Sequence, residues 1–429
     1  MTWKKAVALC AVWAFLAACS SGQKGGGSVK DGPTKEFWDD KSLKGAGNVK
    51  DGQKTGKWTL YHMASGGKLK LGEGEYKDDK QEGKWTFYHK NGQVSTLGEF
   101  EEGQKKGKWQ GFYDNGDPEW EATYVVKEKE ESGFKMKIGG IEGLKTTFYK
   151  GKKVWKEEEY KDGLKDGKSQ EYFENGKLKE ITQYKEDEKD GGSMEWFDNG
   201  AKKAEGAYAK KERMGAWRFF HDNGQLAVDG AFTANKQDGL WRFNSRDGQL
   251  MKDGRYKEGK EDGPWSFYEA TGQKQMDLFV AGGMVVEGVN KVYENGALTG
   301  EGGLSGLPKA IFQTIKNGTP GAEIEAGDAL PDDPRAGLSY RWTGKWKMLK
   351  KNGKWSDYYP GGFAKKTEAV YMMDKLNGKY KEYYQTGQVK AEGEYLNAKK
   401  NGKWTFYNQD GSVDKDQSGS YMMDKKAKF

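Results

Sequence analysis

The chain has 429 residues, 63 of them Gly, with 32% charged residues and a mean hydropathy of -1.01. Glycine and charge at that level point toward disorder, but 16 Trp, 23 Tyr and 19 Phe do not, because each ring buries on the order of 150 to 250 Å² once neighbours cover it. The 72 basic and 65 acidic residues are intermixed, for a formal charge of +7, so no basic block tracks a phosphate backbone and nucleic acid is excluded as a partner.

The N-terminus reads as an address. Lys4 and Lys5 precede an apolar run from Ala6 to Phe15, and Leu16-Ala17-Ala18-Cys19 closes it with small residues before a cysteine, the outline of a signal peptide. The run is too short to span a bilayer as a helix, which takes about 20 apolar residues. From Ser20 the chain is rich in Gly, Ser and Lys to about Asn48, as a flexible tether is.

A repeating unit then takes over. Gly83-Lys-Trp-Thr-Phe-Tyr88, Gly107-Lys-Trp-Gln-Gly-Phe-Tyr113, Gly215-Ala-Trp-Arg-Phe-Phe220, Gly263-Pro-Trp-Ser-Phe-Tyr268 and Gly402-Lys-Trp-Thr-Phe-Tyr407 are copies of one pattern. Counting the leading glycine as position 0, successive units Gly83 and Gly107, Gly167 to Gly263, and Gly378 and Gly402 recur every 24 residues. Position 9 is again glycine, often after Asn or Asp, as in Asn91-Gly92, Asn223-Gly224 and Asp410-Gly411; these dipeptides tolerate the positive φ of tight hairpin turns. A second strand follows through Gly98-Glu-Phe100, Gly206-Ala-Tyr208 or Gly393-Glu-Tyr395, and a Lys- and Asp-rich turn returns the chain to the next unit. Each unit is thus strand, turn, strand, turn.

Side chains alternate along a strand. Trp at position 2 and the ring at position 4 or 6 therefore share one face, the expected buried set, and glycines such as Gly98 and Gly206 leave room for a ring across the neighbouring backbone. Position 5 points the other way and is aromatic in nearly every unit: Tyr61, Tyr88, Phe112, Tyr172, Trp196, Phe220, Tyr268, Tyr383 and Tyr407. This ladder has two readings, rings that stabilise cross-strand pairs or a binding surface.

Two interruptions stand out. Residues 125–142 carry a charged run, Lys127 to Glu131, and read as a longer loop. Leu304 to Leu338 holds Pro308, Pro320, Pro331 and Pro334, a density that excludes central strands, and reads as a linker or insertion after which Trp342 and Trp346 open a second array.

His62, His89 and His221 fall at like positions of different hairpins and read as turn residues, not metal ligands. Acidic residues recur with the turns, no phosphate-binding loop has a strand-to-helix context, and Cys19 is taken by lipid in the reading below. The expectation is no catalytic residue, no metal and no cofactor.

Two resemblances give these features a context. Leu16-Ala17-Ala18-Cys19 resembles the lipobox of bacterial lipoproteins, which implies cleavage before Cys19, acylation of that cysteine and membrane attachment; Cys10 and the two lysines are then lost, leaving +5. Ser20, where no Asp stands, implies transfer to the outer membrane. The hairpin unit, over most of residues 51–303 and 341–414, resembles the MORN-repeat variant of YwqK-type proteins, which implies an extended scaffold for protein or lipid contacts and carries an association with antitoxins.

The expected organisation is a signal peptide at 1–18, a tether at 19–50, a main array at 51–303, a Pro/Gly-rich insertion at 304–340 and a short array at 341–429. The expected fold is all-β: tandem antiparallel hairpins of about 24 residues in an open, twisted, single-layer sheet. The expected function is a non-enzymatic outer-membrane lipoprotein, facing the periplasm or the cell surface, that holds an unknown envelope protein. Alternatives are a carbohydrate- or choline-type module for a cell-wall glycan, and an exported immunity or antitoxin-like protein.

Overall fold

The computed structural model describes residues 31–131, 134–282, 284–286, 290–305 and 350–427. Cys19, Trp342, Trp346 and most of the 304–340 insertion lie outside the described residues. Those described are all-β, with no helix, and form hairpins in a single-layer antiparallel array that does not close on itself. No helix among them is long and apolar enough to cross a membrane. The chain divides into two units between Lys152 and Lys153.

In the first unit the strands pair in chain order, beginning with Gly32–Phe37 on Leu43–Lys50 and Leu43–Lys50 on Gln53–Tyr61. The segment read as tether is therefore strand from Gly32 onward. The reason is the indole of Trp58, which lies across Gly47 so closely that a Cβ there would overlap the ring. Residues 125–142, expected as a loop, instead form a long hairpin: Pro118–Glu131 pairs with Phe134–Ile141 from Tyr124↔Ile141 outward, and with Gly143–Phe148 at its other end. The charged run follows Val125 and Val126 directly, and its backbone is paired with the partner strand from Lys127↔Ile138 to Glu131↔Phe134.

In the second unit the meander runs from Val154–Lys161 to Lys425–Lys426. Ala297–Ser305 pairs with Lys350–Tyr358, Ser305 opposite Lys350. Strands on either side of the 304–340 interruption are thus direct neighbours in one sheet.

What buries the tryptophans in a single layer is visible unit by unit. Trp58, Trp85, Trp109, Trp217, Trp241, Trp265 and Trp404 are each at most 2% exposed. Each ring covers the second-strand glycine before it, and each Nε1–H donates to the carbonyl of the residue ten positions earlier, as from Trp85 to Glu75 at 3.0 Å and from Trp241 to Ala231 at 3.2 Å. Strand register shifts at that glycine, a bulge that admits the ring. Rings on the following strand stand edge-on between successive indoles: Tyr76 lies 5.8 Å from Trp58 and 5.2 Å from Trp85, and Phe232 lies 6.1 Å from Trp217 and 5.0 Å from Trp241. Over the top lie cations two residues before the leading glycine, whose stems cover the rings while the charge stays near water. Lys105 sits 4.4 Å from Trp109, Arg213 5.1 Å from Trp217 and Lys400 5.0 Å from Trp404.

Two variations follow from the same geometry. Near the middle of the second unit Glu261 takes the cation's place, and the positive charge moves to Lys252, buried 4.4 Å from the Phe243 ring and pushed down to about 8 by burial. Where Ser169 and Ser193 replace Trp, the partner is no longer glycine: Glu158 stands opposite Ser169 and Thr182 opposite Ser193. The space an indole would fill there holds a Thr182–Ser193 hydroxyl contact of 2.9 Å and an ion pair between Lys165 and Glu158 at 2.5 Å.

Candidate interaction surface

The face opposite the tryptophans carries position 5. All nine side chains read as a ladder are half-buried, Tyr61, Tyr88 and Phe112 in the first unit and Tyr172, Trp196, Phe220, Tyr268, Tyr383 and Tyr407 in the second. They are neither core nor freely exposed. Four of the tyrosines donate their hydroxyl to a carboxylate fifteen residues earlier, on the neighbouring strand: Tyr88 to Glu73 at 2.6 Å, Tyr172 to Glu157 at 2.9 Å, Tyr383 to Glu368 at 2.6 Å and Tyr407 to Glu392 at 2.9 Å. Among the others, Phe220 lies under Lys202 at 5.7 Å and Tyr268 under Lys274 at 6.0 Å.

The carboxylates are a row that sequence reasoning missed by assigning acids to turns. Glu73, Glu205, Asp229, Asp253, Glu301 and Glu392 sit in mid-strand, each immediately before the second-strand glycine. That dipeptide was the available signal: glycine admits the indole on one face, and the residue before it must point to the other. Hydrogen bonds and neighbouring lysines favour the charged form at several of these positions. Tyr88 and then Lys70 keep the Glu73 carboxyl below its usual range, Lys365 and then Tyr383 do so for Glu368, and Tyr407 and then Lys381 for Glu392. The same hydrogen bond, joined by partial burial, pushes Tyr88 up to about 12.

On this face of the second unit lies a groove of about 1240 Å³. Its walls include Lys354, Lys379 and Lys403, at position 1 of three hairpins, and Glu301, Glu368 and Glu392 of the acidic row.

The histidines are stitches between hairpins. His89 Nε2 lies 2.8 Å from the Phe112 carbonyl, His221 Nε2 3.0 Å from that of Asn244, and His62 Nε2 3.2 Å from that of Tyr88. Tyr113 and Tyr384 occupy the same position and donate their hydroxyls to Phe148 and Tyr407 carbonyls. Turn asparagines add a parallel seam, as from Asn199 to the Asp222 carbonyl at 2.7 Å. No group of three or more His, Cys, Asp or Glu among the described residues is placed to hold a metal ion.

Among solved structures the chain is similar to a porin-like protein from Bacteroides uniformis, at 7% identity over 46% of this chain and 87% of that one, with a TM-score of 0.13. It is also similar to the complex TcdB2-TccC3-Cdc42, at 12% identity over 84% of this chain and 20% of that one, with a TM-score of 0.14. No curated protein matches the chain. The family model of the MORN repeat variant matches residues 81–102, 165–186 and 376–397, each one first strand, its turn and its second strand, so that three hairpins of the described arrays are MORN-variant repeats.

Proposed function

We propose that the chain is a non-enzymatic lipoprotein of the bacterial cell envelope, anchored through Cys19, whose hairpin arrays hold a protein partner on the face opposite the tryptophans. The observation that carries this reading is the division of labour between faces. One side of most hairpins buries its large rings, five of the tryptophans under the chain's own cations. The other keeps half-buried rings beside a charged carboxylate row, a mixture of apolar area and fixed polar groups suited to a protein surface. A choline-type ligand would need open rings for its ammonium, and the rings of Trp58, Trp109, Trp217, Trp355 and Trp404 already carry Lys54, Lys105, Arg213, Lys351 and Lys400.

Crosslinking in intact cells, followed by purification of the tagged chain, tests the platform. The variant Tyr88→Ser with Phe112→Ser and Phe220→Ser is expected to lose a specific crosslinked protein while its thermal melt by circular dichroism stays close to that of the parent. Capture unchanged, or a melt that collapses, assigns the ladder to structure. Cys19→Ser is expected to move the chain from the membrane fraction to the soluble envelope fraction; its staying in the membrane fraction removes the lipid anchor from the reading.

A further inference from the structure

On the interaction face, position 1 of each first strand stands opposite position 16 of the next strand, giving a row that crosses the strands. In most hairpins the row is charged or polar: Lys84 faces Glu99, Lys168 faces Gln183 and Lys379 faces Glu394. Across the eight neighbouring strands from Glu188–Trp196 to Lys274–Ala281 its character changes. Ala216 faces Ala231, Leu240 faces Arg255 and Pro264 faces Phe279, with Gly192 and Ala207 at the near end. Leu240 and Phe279 are 43% and 41% exposed, on a face where the alternation of side chains would as easily place lysine, as the neighbouring hairpins do.

Seven interstrand steps of about 4.8 Å make this strip about 34 Å long. An added strand would pair along a sheet edge and could not follow it. A helix laid across the strands can: seven residues advance about 10.5 Å, close to the roughly 9.6 Å between hairpins, and about 22 residues cover the strip. Both its flanks are lined with acids. Beyond the strip toward position 3, Arg218 and Arg242 are each paired with an acid of the carboxylate row, Glu205 and Asp229, and Asp253 and Asp277 stand opposite Arg242 and Ser266. On the other flank stand Asp190, Asp238 and Asp262, one residue before the leading glycines.

We infer that this strip seats an amphipathic helix of a partner protein, about 22 residues long, apolar at heptad spacing and basic on the flank over Asp190, Asp238 and Asp262. The inference rests on the platform reading and names the class of partner.

The test is fluorescence polarisation on the full chain with a labelled 22-residue helical peptide, leucine at heptad positions, lysine on one flank and glutamine on the other. Saturable binding is expected, weakened at least about tenfold by Leu240→Glu with Phe279→Glu. It should be lost when the peptide's leucines become serine, and kept within about twofold by Lys415→Glu with Lys425→Glu, exposed positions near the C-terminal end. The milder pair Leu240→Ser with Phe279→Ser serves if the glutamate variant does not keep the parent's melt. No saturable binding, or binding indifferent to both Leu240 and Phe279, overturns the helix. A sedimenting dimer that the Leu240 and Phe279 changes convert to monomer overturns it in favour of a second copy of the chain. Cellular crosslinks to one protein that survive these changes remove the strip but leave the platform; absence of any crosslinked protein with the parent chain removes the platform itself.

Discussion

Gly230 is where the packing can be tested most sharply. Its Cα supports the indole of Trp241, and a Cβ added there would fall within the ring. That ring has nowhere cheap to go. It is 0% exposed, donates to the Ala231 carbonyl at 3.2 Å and lies 5.0 Å from the Phe232 ring. Gly230→Ala must therefore displace an indole, at a strain of about 1 to 3 kcal/mol, with about 1 kcal/mol more if the Nε1 hydrogen bond breaks. A loss near 3 kcal/mol corresponds to a fall in melting midpoint of roughly 6 to 12 °C for a cooperative unit of this size. Gly192 supplies the internal control, since a Cβ there meets nothing within 4 Å and its backbone needs no positive φ. Gly192→Ala should be neutral or stabilising by up to about 1 kcal/mol, because alanine restricts the unfolded chain. The assay is a thermal melt of the full chain by circular dichroism, with tryptophan fluorescence reporting indole exposure. Equal melts for Gly230→Ala and the parent, or equal losses for the two variants, would refute the account of single-layer burial.

Three further outcomes are expected. Tyrosine ionisation, followed by ultraviolet absorbance, should lag in the folded chain, because Tyr88 and Tyr383 are pushed up to about 12. A raised folded value means that their contribution to stability is complete below pH 10 and is lost as pH rises through about 12, so a single unshifted titration would contradict the tyrosine–carboxylate pairing. At the turn after Thr233, Ala234 and Asn235 have φ of 50° and 64°; Ala234→Asn, better suited to that backbone, should stabilise by about 0.5 kcal/mol, seen as a small rise in melting midpoint. His221→Phe should cost about 1 kcal/mol by removing the bond to the Asn244 carbonyl, whereas His221→Tyr should melt like the parent, because Tyr384 makes the same stitch by its hydroxyl at 2.8 Å.

The fold was legible because its punctuation is local. Asn-Gly and Asp-Gly turns, glycine at position 0 and alternation around Trp85 or Trp217 specify strand, face and turn without long-range information. Room for the indole over Gly98 and Gly206 was also readable, since only glycine lacks the Cβ that would block it. The hairpin at 125–142 was less so, because two-sided charge leaves no apolar alternation to count, and pairing with the strand before it decides the outcome. The acidic row escaped for a different reason: Glu73 and Glu392 resemble solvated turn residues until the register places Tyr88 and Tyr407 beside them. The histidine stitches depend on the next hairpin's carbonyls, which no single unit contains.

The exchange of tryptophan for serine at Ser169 and Ser193 bears on how the second unit gives way. A stack of hairpins comes apart where its neighbour couplings are thinnest. From Glu158 to Ser193 those couplings are hydroxyls and ion pairs, while from Trp217 to Trp265 they are interlocked indoles. Under heat or tension the chain has a built-in fuse: the polar stretch is expected to open first, and the aromatic stretch beyond it to keep its shape for as long as its own rings stay dry.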